Sequence, residues 1–97
     1  MTHRITMNHL DFVCDEINDL LGKPKNYWDS ELKRAHVGNR HIESTQSGYA
    51  LAITLNEGGG ISNMFGSKTK RELMEKLEAY LMGLRTMKKQ SEKEVQA

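Results

Sequence analysis

SGYALAITLNEGGGISNMFGSKTKRELMEKLEAYLMGLRTM, residues 47–87, carries the clearest structural pattern in the chain. Its first part alternates. Tyr49, Leu51, Ile53 and Leu55 fall on one face of an extended chain, and Ala50, Ala52, Thr54 and Asn56 fall on the other. Asn56 and Glu57 followed by Gly58, Gly59 and Gly60 read as a turn. A further strand over 60–65 sets Ile61, Asn63 and Phe65 against Ser62 and Met64. The period then becomes helical, with Leu73, Leu77, Tyr80, Leu81 and Leu84 on one stripe and Met74 and Met87 at its margins. Thr69 with Glu72 three residues on matches a capping box, which starts a helix by satisfying its free amides.

Working back from that unit, residues 40–46 predict a strand through Ile42, closed by a turn at Gln46, Ser47 and Gly48. Residues 23–39 have weak periodicity. Trp28, Leu32 and Ala35 there predict a short helical turn entered through Asp29 or Ser30, with Lys33 and Arg34 outside. Upstream, Leu10, Val13, Ile17, Leu20 and Leu21 recur at helical spacing, flanked by Phe12 and Cys14. Asn8 reads as the N-cap, with Asp11 near the helix's positive end. Gly22 and Pro24 stop the helix, because glycine takes the left-handed position and proline cannot continue the ladder. The first six residues read as a flexible start or short extended arm. The order is α-β-β-β-α: an α+β fold with a three-stranded antiparallel sheet between an N-terminal helix and a long C-terminal helix. Two helices on one face of the sheet bury both stripes. Residues 1–87 form the single domain, and residues 88–97 read as a charged, disordered tail.

Ninety-seven residues at 37% apolar content support one modest core. The net charge of +1 conceals a split, since residues 1–22 hold one arginine against Asp11, Asp15, Glu16 and Asp19. That balance suits neither a strongly basic nucleic-acid module nor an acidic tail. The single cysteine, Cys14, rules out an intrachain disulfide, and its helical setting reads as a small buried residue in a reducing, cytoplasmic environment. No stretch is long and apolar enough for a membrane span, and the amino terminus lacks the apolar block of a secretory signal. His36 and His41 have no cysteine nearby to complete a zinc site and read as polar surface. No Walker loop, dinucleotide fingerprint or G-x-S-x-G turn is present. A non-enzymatic chain without metal or cofactor is the expectation.

Asp11, Asp15 and Asp19 are spaced by four and stack along one helix face, with Glu16 and Asn18 alongside. A solvated face is the plain explanation, and a strip facing a cationic partner is the functional one. Tyr27 and Trp28 either close one edge of the core or stand out as an aromatic anchor for a partner. Lys68, Lys70 and Arg71 at the start of the last helix invite comparison with double-stranded-RNA-binding domains, whose lysines there straddle groove phosphates. The acidic first helix departs from that pattern.

Gly48-Tyr49, Asn56-Glu57-Gly58-Gly59-Gly60, Thr69-Lys70-Arg71-Glu72-Leu73 and Gly83-Leu84 together resemble a pattern in small phage and prophage accessory proteins, most without assigned function. The chain is also similar in size and build to phage-encoded inhibitors of bacterial defence, anti-CRISPR proteins among them. That resemblance implies stoichiometric binding to a host defence ribonucleoprotein in the bacterial cytoplasm. The leading expectation is an interaction module that offers Asp11, Asp15, Glu16 and Asp19 to a cationic nucleic-acid-binding surface, anchored by Tyr27 and Trp28. The alternatives are a duplex-binding module using Lys68, Lys70 and Arg71, and a structural or homo-oligomeric phage component joined through the Ala50 and Ala52 strand face.

Overall fold

The computed structural model describes residues 4–96, with side chains described through Gln90; the first three residues of the expected arm and Ala97 of the expected tail lie outside the described residues. The elements are α1 (Met7–Leu21), β1 (Trp28–Asp29), β2 (Arg34–Ala35), β3 (Arg40–Thr45), β4 (Gly48–Thr54), β5 (Ile61–Ser67) and α2 (Lys70–Gln96). Strands β3, β4 and β5 form an antiparallel sheet in that order, and β1 pairs with β2 as a separate small hairpin. The α-β-β-β-α expectation holds, with that hairpin inserted between α1 and the sheet.

Helix α1 packs on α2 and β3, and α2 packs on β4 and β5. Between them Leu10, Cys14, Ile17, Leu51, Leu73, Met74, Leu77 and Leu81 form the buried core, with Ile42, Tyr49, Phe65 and Tyr80 packed against it. These are the residues that helical and strand periodicity put on the inward faces, and burying each large aliphatic side chain contributes on the order of 1.5–3 kcal/mol. Two of the alternating residues of 49–55 depart: Ile53 is half-buried and outside this core, and Leu55 leaves it altogether. It lies just past the end of β4 and is exposed.

Helix α1 begins earlier than Asn8 as N-cap suggests, with Met7 already helical. Thr6 is the N-cap: its hydroxyl accepts the His9 N–H at 3.3 Å, and its own N–H donates to His9 Nδ1 at 3.1 Å. Histidine fills the role that Glu or Gln has in the usual box. At the other end Gly22 takes φ 69° and ψ 30°, and the Lys23 N–H reaches back to the Asn18 carbonyl at 2.8 Å. That left-handed cap is the one the sequence specifies.

Three further expectations are corrected. The segment around Asp29 is a hairpin turn instead of a helical turn: Asp29 Oδ1 accepts the N–H groups of Glu31 and Leu32 at 3.0 and 3.1 Å, and Lys33 at φ 53° reverses the chain. A helix-cap residue can serve a tight turn equally well, because both need a side-chain acceptor for forward amides. Strict alternation in β5 also fails. Phe65 lies opposite Leu51 while Asn63 lies opposite Ala52, so Met64 is an extra residue between them. A bulge shifts the facing by one, which turns Phe65 into the core and leaves Asn63 on the other face. Finally, α2 continues to Gln96 where a disordered tail was expected. Residues 88–96 contain no glycine or proline and are rich in Lys, Glu and Gln, which propagate a helix already nucleated upstream.

Asn18 is the largest correction. Its place beside the acidic row suggests exposure, yet it is fully buried. Its amide donates to the Arg40 carbonyl at 2.8 Å and its oxygen accepts the Arg40 N–H at 2.9 Å. A single side chain thus supplies the two bonds that a neighbouring strand would give to the outer edge of β3.

Candidate protein-binding face

On a helix of 3.6 residues per turn, Asn8, Asp11, Phe12, Asp15, Glu16 and Asp19 share the arc opposite the stripe of Leu10, Ile17 and Leu21. The structure brings these acids together on one outward face, and puts Phe12 in their midst with 65% of its surface exposed. Their charges are not equivalent. Glu16 is paired with Arg85 of α2, and Asp19 Oδ2 lies 3.3 Å from Lys25 Nζ. Asp11 and Asp15 have no ion pair among the described residues. The Asp11 carboxyl is raised above its ordinary 3.8 by partial burial and then by the neighbouring negative charge of Asp15. Phe12 reads in sequence as a flank of the apolar stripe. Its signal was available on the helical wheel, where it is the one aromatic inside the polar arc.

Tyr27 and Trp28 do not join this face. They lie in the insert beyond the end of α1. Tyr27 is half-buried: its hydroxyl donates to the Gly59 carbonyl at 2.8 Å, and its ring lies 4.8 Å, centre to centre, from that of His41. It ties the insert to the β4–β5 turn. Trp28, at 46% exposure, remains partly open on β1.

His36 and His41 are partly buried rather than open surface, and each is held by oxygen acceptors. His41 Nδ1 is 3.1 Å from Asn39 Oδ1 and its Nε2 is 2.7 Å from Glu43 Oε1. His36 Nδ1 is 2.7 Å from the Asn26 carbonyl, and its Nε2 is 3.5 Å from Asp29. Asn39, fully buried, donates to the Pro24 carbonyl at 2.7 Å. The contact of His41 with Asn39 joins the sheet to the insert, while the His36 bonds and that of Asn39 to Pro24 tie the insert to itself.

Lys68, Lys70 and Arg71 sit where β5 passes into α2. Thr69 Oγ1 accepts the Glu72 N–H at 3.1 Å, and Lys70 lies 5.5 Å above the Tyr49 ring. Gly48 has φ 146° and abuts this junction: a Cβ there would lie 2.2 Å from the Ser67 carbonyl oxygen. The β3–β4 turn and the cationic helix start therefore touch. Ala50 and Ala52 are only 4% and 0% exposed, recessed between Glu43, His41 and Asn63 on the neighbouring strands, so they offer little surface to a second copy.

Cys14 is buried, donates to the Arg40 carbonyl at 3.1 Å, and has its thiol pushed up to about 12, chiefly by burial. Such a thiol packs and does not react at neutral pH. Among the described residues no group of three or more His, Cys, Asp or Glu is placed to hold a metal ion, and no helix is long and apolar enough to cross a membrane. No family model, curated protein or solved structure matches the chain.

Proposed function

We propose that this chain is a non-catalytic binding module that uses the outward face of α1 to occupy a cationic, nucleic-acid-binding surface of a partner protein. The observation that carries the proposal is Phe12, held outward among acids of which Asp11 and Asp15 are uncompensated. An exposed aromatic supplies the apolar contact on which binding energy concentrates, and the acids steer and orient a basic partner. Given the likeness to phage accessory proteins, the partner class is a host nucleic-acid-targeting defence complex, blocked by stoichiometric occupation of its groove.

The duplex-binding alternative has its own observation. The β3–β4 turn abuts Lys68, so turn and helix start present one surface, and Lys68 has no ion pair among the described residues. One experiment separates the two. The immobilised chain is exposed to a bacterial lysate carrying defence systems, and separately to labelled duplex DNA and RNA at low salt. The α1 reading expects a nucleic-acid-binding complex that is retained, is displaced by added duplex, and is lost with Phe12→Ala or with reversal of Asp11 and Asp15. Unchanged retention by those variants overturns it. Direct, salt-sensitive duplex binding that is lost when Lys68, Lys70 and Arg71 become alanine supports the alternative instead.

A further inference from the structure

The sheet has two free edges, and they are finished differently. Along β5 the Met64 bulge breaks the repeat, and Lys76 Nζ donates to the Gly66 carbonyl at 2.6 Å. Both devices discourage an added strand. Along β3 only the first residue is closed, by Asn18 and Cys14 at Arg40.

The register shows what remains open. The N–H and C=O of Arg40 face away from β4, since both bond to Asn18. Thr54 engages Asn39 and Gly38 on the β3 side, which turns Ala52 and Ala50 the same way and pairs them with His41 and Glu43. In an antiparallel ladder alternate residues turn their amides to the same side. Ile42 and Ser44 therefore direct their N–H and C=O outward with Arg40, and no hydrogen bond to these outward groups is found among the described residues.

An acidic wall runs beside this edge. Asp11, Cys14, Asp15 and Asn18 are spaced as i, i+3, i+4 and i+7, one stripe of α1. Cys14 and Asn18 of that stripe touch Arg40. Asn18 at Arg40 and Glu16 at Arg85 fix the C-terminal half of α1 at the Arg40 end of the sheet. Its N-terminal half then lies along β3 toward Thr45. From Cys14, which also reaches Arg40, back to Asp11 the helix advances about 4.5 Å. From Arg40 to Ser44 the strand advances about 13 Å. Asp15 and Asp11, which act electrostatically on Cys14, thus border the Arg40 end of the stretch in which Ile42 and Ser44 are open.

We infer that β3 accepts an extra strand from a basic, extended segment of a partner protein. The segment's backbone pairs with Ile42 and Ser44, and its Lys or Arg side chains on the helix side reach Asp11 and Asp15. Strand addition of this kind takes affinity from main-chain bonds and selectivity from alternate side chains. For its charge preference the inference rests on the α1 reading; the main-chain part rests on the register alone.

The test uses the full chain and a fluorescein-labelled octapeptide of alternating lysine and valine, followed by fluorescence anisotropy at low salt. Two further peptides carry N-methyl groups on every lysine amide or on every valine amide, and a fourth replaces lysine with glutamate. The expected result is binding of the parent peptide. One methylated form and the glutamate form should bind at least about tenfold more weakly, as loss of two or more net hydrogen bonds or of the charge pairing requires. Ser44→Pro removes an outward N–H without touching a bond to β4, and should weaken the parent peptide by a similar factor while circular dichroism shows an unchanged fold. No binding of the parent peptide overturns the inference, as does equal binding of both methylated forms. If reversal of Asp11 and Asp15 abolishes binding while methylation does not, strand addition is wrong and the α1 reading stands.

Discussion

Helices α1 and α2 lie side by side on the same sheet, yet they are attached by different physics. Helix α2 is held by an apolar stripe, Leu73, Met74, Leu77 and Leu81, whose spacing is visible in the sequence. Helix α1 has its own stripe in Leu10 and Ile17, and adds a polar clamp in which Asn18 and Cys14 bond to the backbone of Arg40. Hydrophobic burial is non-directional and tolerates sliding, whereas a bidentate amide contact fixes one register. The clamp orders the start of β3 and fixes α1 at its Arg40 end, which brings the stripe of Asp11 and Asp15 to that end of the strand.

The comparison can be broken most directly in the core. Leu77→Ala should destabilise the chain by about 2–5 kcal/mol, read from urea or thermal unfolding, because a fully buried aliphatic side chain leaves a cavity. Asn18→Ala should cost about 2–4 kcal/mol, since it leaves the Arg40 N–H without a partner and its carbonyl with Cys14 alone. The two differ in kind. After Asn18→Ala, hydrogen exchange should speed up first at Arg40 and its neighbours in β3, while Leu77→Ala should loosen the molecule as a whole. Equal exchange patterns for both would remove the distinction drawn between the helices.

Thr69→Ala, which deletes the acceptor for the Glu72 N–H at the start of α2, should cost about 1 kcal/mol. The smallest effect is electrostatic and concerns two carboxylates. Asp29 is held below its ordinary 3.8, first by the Leu32 N–H; loss of solvation opposes this as the next largest effect, and His36 and the Glu31 N–H lower it further. Asp11 is held above 3.8 by burial and Asp15. The signs are opposite. The stabilisation from Asp29 is present above 3.8 and is lost as pH falls through its lowered folded value. Ionised Asp11 opposes folding at neutral pH, and that opposition is relieved as pH falls through its raised folded value toward 3.8. A carbon-detected NMR titration should place Asp11 above Asp29, and Asp15→Asn should move Asp11 back down. The reverse order would contradict the environment described for α1.

Local sequence sufficed for α1, the three strands of the sheet, the start of α2 and most of the core. Alternation over 49–53 and the stripe of α2 each need only local periodicity, because apolar residues at a regular spacing have one face to bury wherever the sheet lies. The caps at Gly22 and Thr69 are local for the same reason. Polar and irregular positions were set instead by contacts distant in sequence. Asn18 is buried because Arg40, 22 residues away, presents an unpaired backbone edge to it. Phe65 enters the core because a bulge at Met64 shifts its facing. Phe12 is left outside because the remainder of α1's arc already meets α2 and β3. A polar side chain's burial depends on a partner that the local sequence does not contain, whereas the acids of the candidate face follow from helical spacing alone.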